Sequence, residues 1–169
     1  MIAMIKAIVL YNSRGGNTKQ VAIKIAEGLG VECRDNKNIP ENIEEYDFLV
    51  LGTWPMMFKV RGAGRRYLKK LSKRNLNGKK IALFFTSAGP DEDMPKSEDK
   101  PKKIKEMVFE TMEEIISKNN DVTILEERFY CKGALRMMGK IVDNEGHPTE
   151  EELAQAKEFG EMLKAKFAS

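Results

Sequence analysis

Residues 11–18 read Tyr-Asn-Ser-Arg-Gly-Gly-Asn-Thr, the stretch of this chain best equipped for chemistry. Ser13 and Thr18 bring hydroxyl donors and Arg14 a fixed positive charge, while Gly15 and Gly16 let a bulky ligand approach the backbone. From Asn17 the apolar residues Val21, Ala22, Ile25, Ala26 and Leu29 recur at helical spacing, so the segment ends where a helix begins. The first amides of a helix lack intrahelical partners and lie at the positive end of its dipole, so this bend suits an anion, above all a phosphate. A glycine turn that binds nothing is the plain alternative. Neither GxxxxGK[ST] nor GxGxxG occurs, so the ATPase and dinucleotide fingerprints are absent.

Few other residues have reactive side chains. Cys33 and Cys131 stand far apart, with no CxxC or Cys/His cluster, which gives no sign of a metal or iron–sulfur centre. Cys33 reads as structural, and Cys131 reads either as a buried inert thiol or as a group touching a ligand. His147, the sole histidine, could relay a proton, but its place before Pro148 and a helix cap favours a turn. Met56, Met57, Met137 and Met138 could line a soft apolar pocket or simply pack.

The elements that must position these residues alternate. Residues 5–11 are a β-branched apolar run suited to a strand buried on both faces, and the first helix, from Asn17, is stopped by Gly28 and Gly30. A short strand at 31–34 and an irregular, proline-bearing connection at 38–45 follow. The next buried strand is 47–51, closed by Gly52 and Thr53, then a helix at 63–73 and a fourth strand at 80–85. After a polar loop at 86–101 come a helix marked by Ile104, Val108, Met112 and Ile115 and a fifth strand at 122–130. Residues 131–148 are too long for an ordinary turn, so structure or function of their own is expected. Thr149 and Glu152 form a capping box before Leu153, Ala156, Phe159 and Leu163. The pattern predicts one α/β domain over residues 1–169, with an open parallel sheet covered on both faces.

Ser13-Arg-Gly-Gly-Asn-Thr18 resembles the [ST]-x-[ST]-G-x-T phosphate loop of the flavodoxin family, with Gly15 where that pattern has a hydroxyl residue. The segment 52–58, Gly-Thr-Trp-Pro-Met-Met-Phe, is similar to the family's second flavin loop. Residues 86–89, Thr-Ser-Ala-Gly, are similar to its third, and 146–153 to the helix entry of short members. The resemblance implies a three-layer sandwich with a five-stranded parallel sheet of order 2-1-3-4-5 and bound FMN. Ser13, Arg14, Gly15, Gly16, Asn17 and Thr18 would hold its phosphate. Thr53, Trp54, Pro55, Met56 and Phe58 would flank one side of the ring and Thr86, Ser87, Ala88 and Gly89 the other, with Cys131 at the same edge. Trp54, the only tryptophan, would stack on the flavin. Function would follow as electron transfer between protein partners, with no residue acting as catalytic acid or nucleophile.

The net charge of +3 hides an uneven distribution: residues 53–90 carry ten bases and no acid. A solvated helix face is the common meaning of such a run. Because it starts beside the second loop, the expectation here is an acidic redox partner docking near Lys59, Arg61, Arg65 and Arg66. Two competing functions are an FMN-dependent NAD(P)H oxidoreductase acting on a quinone or other small acceptor, and a flavin-free basic module meeting nucleic acid or an anionic surface. The second is disfavoured because only Tyr67 interleaves the basic run and because it leaves the phosphate loop unexplained. No apolar run approaches the roughly 18 residues of a membrane span, and a cytoplasmic protein is expected.

Overall fold

The computed structural model describes residues 5–56, 59–92 and 102–168. Five strands, β1 (Ala7–Tyr11), β2 (Cys33–Asp35), β3 (Phe48–Thr53), β4 (Lys80–Ser87) and β5 (Thr123–Lys132), form one parallel sheet of order β2-β1-β3-β4-β5. The helices are α1 (Asn17–Leu29), α2 (Gly62–Ser72), α3 (Ile104–Ser117) and α4 (Glu150–Leu163). The 38–45 connection holds only a single tight turn, Ile43–Glu45, as its Pro40 and polar composition lead one to expect.

Alternation along the strands builds two cores. Ile8, Leu10, Leu49, Leu51, Leu83 and Phe85 point to one side and pack with Tyr67, Leu68 and Leu71 of α2 and Phe109 and Met112 of α3. Val9, Val50, Ala82 and Phe84 point to the other and pack with Val21 and Ile25 of α1 and Ala156, Phe159 and Leu163 of α4. A strand buried on both faces has no polar side to show, which explains the unbroken apolar run of β1.

The expected helix stop resolves into two different jobs. Gly30 ends α1 in the left-handed region, φ 74°, with its amide bonded to Ala26 O at 2.8 Å. Gly28 lies inside the helix and is a packing residue instead. A Cβ there would stand 2.1 Å from the carbonyl oxygen of Lys157, and one at Gly160 would stand 2.1 Å from that of Ile25. The two glycines thus let α1 and α4 cross backbone to backbone, which fixes the angle at which α1 presents its N-terminus.

Strand ends also differ from expectation. Gly52 and Thr53 continue β3, Thr86 and Ser87 continue β4, and Cys131 lies within β5. Residues 131–148 contain a hairpin, β6 (Leu135–Met137) and β7 (Lys140–Asp143), antiparallel across Met138 and Gly139 at φ 51° and 80°. The Thr149 box is formed: Thr149 Oγ1 accepts from the Glu152 amide at 3.1 Å, and Glu152 Oε1 accepts from the Thr149 amide at 2.9 Å.

Candidate functional site

Because all five strands are parallel, the loops after β1, β3 and β4 open at the same edge of the sheet, where β1 and β3 part to opposite sides of the order. The first loop, residues 12–16, runs into α1 through Gly16, whose φ of 92° turns the chain and whose missing Cβ leaves open space. Ser13 Oγ accepts from the Gly16 amide at 3.1 Å, so its own proton is left to donate outward. Arg14 and Gly15 are exposed and Ser13, Gly16 and Asn17 half-exposed. A cleft of about 250 Å³, bordered by Ser13, Arg14, Gly16 and Lys19, opens toward β2 and Asp35. Burial, then Cys33 and Asp35, raises the Tyr11 phenol in its floor above its ordinary value.

Buried polar contacts hold the three loops together. Thr18 Oγ1 and Thr86 Oγ1 lie 2.9 Å apart, joining the start of α1 to the end of β4. Thr53 Oγ1 donates to Asn12 Oδ1 at 3.2 Å and the Asn12 amide to Gly52 O at 3.1 Å, joining the first loop to β3. Gly64 of α2 sits against this pair, where a Cβ would meet Thr53 Oγ1 at 2.4 Å, and Tyr67 donates its hydroxyl to Gly52 O at 2.6 Å. Burial drives the Tyr67 phenol far above its ordinary pKa, so it remains a donor.

These contacts divide the expected site residues. Thr18, Thr53 and Thr86 are 1%, 0% and 2% exposed, and Pro55 and Ser87 are buried. In this structure the hydroxyls of these three threonines are engaged in the Thr18–Thr86 and Thr53–Asn12 hydrogen bonds, which join the loops. Ser13, Arg14, Gly15, Gly16, Asn17, Trp54, Met56, Ala88 and Gly89 are the members with accessible surface. Trp54 is half-exposed, yet its indole Nε1 is buried with no hydrogen-bond partner among the described residues. Met56 and Lys59 exchange both backbone hydrogen bonds, at 2.9 and 3.1 Å. Phe58, and Met57 beside it, lie outside the described residues.

Cys131 is turned into the core with α1 and α4, and burial, then the charge of Glu152, pushes its thiol up to about 12. Burial of this kind disfavours the thiolate, the nucleophilic form of the side chain. Cys33, on the short β2, is likewise pushed up to about 12 by burial. His147 belongs to the helix cap: its Nδ1 lies 2.5 Å from Glu152 Oε1. Burial alone would raise the Glu152 carboxyl, but the Thr149 amide, His147 and the Lys132 amide together hold it below its ordinary value.

The 131–148 segment ties the third loop to the first. The Gly133 amide donates to Ser87 O at 3.0 Å, Asn144 Nδ2 to Ala88 O at 2.5 Å, and Asn17 Nδ2 to Ala134 O at 2.9 Å. The Asn17 side chain thereby holds the start of α1 to the 131–148 segment. Sequence reading missed Asn12 and Asn144, whose hydrogen-bond partners lie 41 and 56 positions away, and Gly64, which no local pattern marks as packing on Thr53. Among the described residues no group of His, Cys, Asp and Glu could hold a metal ion. Backbone amides, one free hydroxyl and a nearby guanidinium at a helix N-terminus are a donor set that fits a phosphate monoester.

Fold and site together define an open α/β protein whose first loop lies at the point where the strand order reverses. The chain belongs to the flavodoxin family: residues 8–143 match the model of the flavodoxin domain. It is 28% identical to the flavodoxin-like domain-containing protein BilS of Clostridioides difficile, over 95% of this chain and 98% of that protein. A flavodoxin from the domain Archaea shares its fold with a TM-score of 0.67 and 21% identity, over 96% of this chain and 98% of that one. The Fusobacterium nucleatum flavodoxin bound to flavin mononucleotide follows at a TM-score of 0.62 and 15% identity, over 97% and 99%. No helix among the described residues is long and apolar enough to cross a membrane.

Proposed function

We propose that the chain binds FMN by its phosphate at residues 13–17 and carries electrons between protein partners. The observation that carries this reading is the bend itself. A left-handed Gly16, a free Ser13 hydroxyl proton and the first amides of a 13-residue helix converge at the β1/β3 switch point. The Fusobacterium relative with flavin mononucleotide bound is of the same fold. When bound, FMN supplies the redox chemistry, accepting and releasing electrons at its ring.

The chain's own residues supply the rest. Ser13 and the amides after it offset the phosphate charge, with Arg14 adding a cation. Trp54 and Met56 on one side and Ala88 and Gly89 on the other present surface to the ring and keep water from its faces. Trp54 Nε1, buried and without a hydrogen-bond partner among the described residues, is a donor that a polar atom of a ligand would satisfy. The struts Thr18–Thr86 and Thr53–Asn12 hold the spacing between these walls. Purified chain examined by absorbance and mass spectrometry tests the reading: a yellow protein releasing FMN supports it, and a colourless one that takes up no added FMN refutes it.

A second reading, an FMN-dependent NAD(P)H oxidoreductase, is favoured by one observation. The β6–β7 hairpin beside Ala88 exposes Leu135, Met137, Ile141 and Val142, apolar surface suited to a small acceptor. Mixing FMN-loaded protein with NADPH separates the two: rapid bleaching without a reductase identifies the enzyme, and slow or absent bleaching the carrier.

A further inference from the structure

We infer that the exposed side of α2 is the docking surface for an acidic protein that exchanges single electrons with the chain, an inference resting on the electron-carrying reading above. Arg65, Arg66, Lys69, Lys70 and Lys73 are exposed on the side of α2 away from Tyr67, Leu68 and Leu71, and Arg61, the residue that leads into the helix, is exposed as well. None has an ion-pair partner among the described residues. Later bases of the same stretch are engaged internally. Arg74 grips the Glu44 carboxylate through Nε and Nη2 at 2.5 and 2.6 Å, Lys79 Nζ donates to the carbonyl oxygens of Glu44 and Tyr46, and Lys80 Nζ lies 5.7 Å from the centre of the Phe167 ring.

The six cations are placed against the helix's own interest. No acid occupies its first turn, so Arg61, Arg65 and Arg66 stand at the positive end of the dipole. The pairs Arg61/Arg65, Arg65/Lys69, Arg66/Lys70 and Lys69/Lys73 repel at a spacing where opposite charges would attract. A partner's carboxylates would remove both penalties on contact.

Position links this surface to the site. Gly64 and Tyr67 seat the start of α2 on Thr53 and Gly52, one residue before Trp54, so a partner on the cations stands beside the loop that borders the ring. Nucleic acid fits less well, because the one aromatic residue of α2, Tyr67, is 3% exposed and offers bases nothing to stack on. A lipid surface fits less well too, since the exposed side of α2 has no large apolar residue to enter the interface.

The test uses a plant-type [2Fe–2S] ferredoxin, a strongly acidic one-electron protein, as probe against the full chain. Calorimetry measures binding of the oxidised probe to FMN-loaded and flavin-free chain, and stopped-flow absorbance follows electron delivery from the reduced probe. Each encounter passes one electron from iron–sulfur to flavin, and two encounters with two protons from water reduce one flavin. Binding should weaken at least about tenfold between roughly 20 and 300 mM salt. It should weaken about tenfold at low salt in the Arg61→Glu/Arg65→Glu/Arg66→Glu and the milder Lys69→Gln/Lys70→Gln/Lys73→Gln variants, with FMN content unchanged. Unaltered binding by both folded variants, or a flat salt response, overturns docking on α2. Tighter binding of single-stranded DNA or anionic vesicles through the same residues overturns the choice of a protein. Binding that follows the expected pattern without electron delivery overturns the carrier reading alone, since the flavin-free arm measures docking independently.

Discussion

Ser13, Trp54 and Glu152 each make a claim that can be tested one side chain at a time. Removing the Ser13 hydroxyl deletes one charge-assisted donor, so Ser13→Ala should weaken FMN binding by about 1 to 3 kcal/mol, with a lower melting temperature of the flavin-free chain reporting separately the lost acceptor of the Gly16 amide. Trp54 is the sole tryptophan, so intrinsic fluorescence reports on it alone. Titration with FMN should quench that emission, and unchanged emission on saturation would remove Trp54 from the ring's surroundings. The Glu152 carboxyl lies below its ordinary value in the folded chain, so its stabilisation is complete above the unfolded pKa and is lost as pH falls through the folded one. Unfolding of wild type and Glu152→Gln at a series of pH values should therefore show a gap near pH 7 that closes on the acid side of the usual carboxylate range near 4.5. Legible in sequence at this scale is what is local, such as the glycine turn that puts Gly16 in the left-handed region before α1. The Thr18–Thr86 and Thr53–Asn12 hydrogen bonds are not legible there, because their members stand 68 and 41 positions apart, where spacing carries no information.

At the scale of elements, helix boundaries were legible wherever a cap or a stop marks them. Thr149 with Glu152, and Gly30, behave as expected, whereas Gly28 was misread because a glycine near a helix end looks the same whether it terminates or packs. A side chain at Gly28 has nowhere to go, so Gly28→Val should force α1 and α4 apart and cost several kcal/mol, at least ~3, by denaturant unfolding. The β6–β7 hairpin escaped detection because its strands are three and four residues long and its turn uses Met138 at a positive φ, a position usually signalled by Asn or Gly. Charge on α2 gives the opposite kind of effect. Replacing Arg66 by Glu turns its contacts with Lys69 and Lys70 attractive and places an acid in the first turns, so the variant should be more stable by ~0.5 to 1 kcal/mol in low salt. A destabilised Arg66→Glu would show that the arginine has a structural role.

The whole molecule is a sheet whose order brings three loops to one edge, and that much was readable because alternating strands and helices leave few topologies to choose from. What could not be read was how the loops are locked to one another, since Asn12, Gly64, Gly133 and Asn144 act only across the fold. The consequence is a site with preset spacing, in which the phosphate should provide much of the affinity because the bend that receives it is already formed. Fluorescence titration of the flavin-free chain with FMN and with riboflavin, the same ring without its phosphate, measures this directly. FMN is expected to bind at least about a hundredfold more tightly, the equivalent of two charge-assisted hydrogen bonds. Equal affinities for the two, or no binding of either, would contradict a phosphate held at residues 13–17.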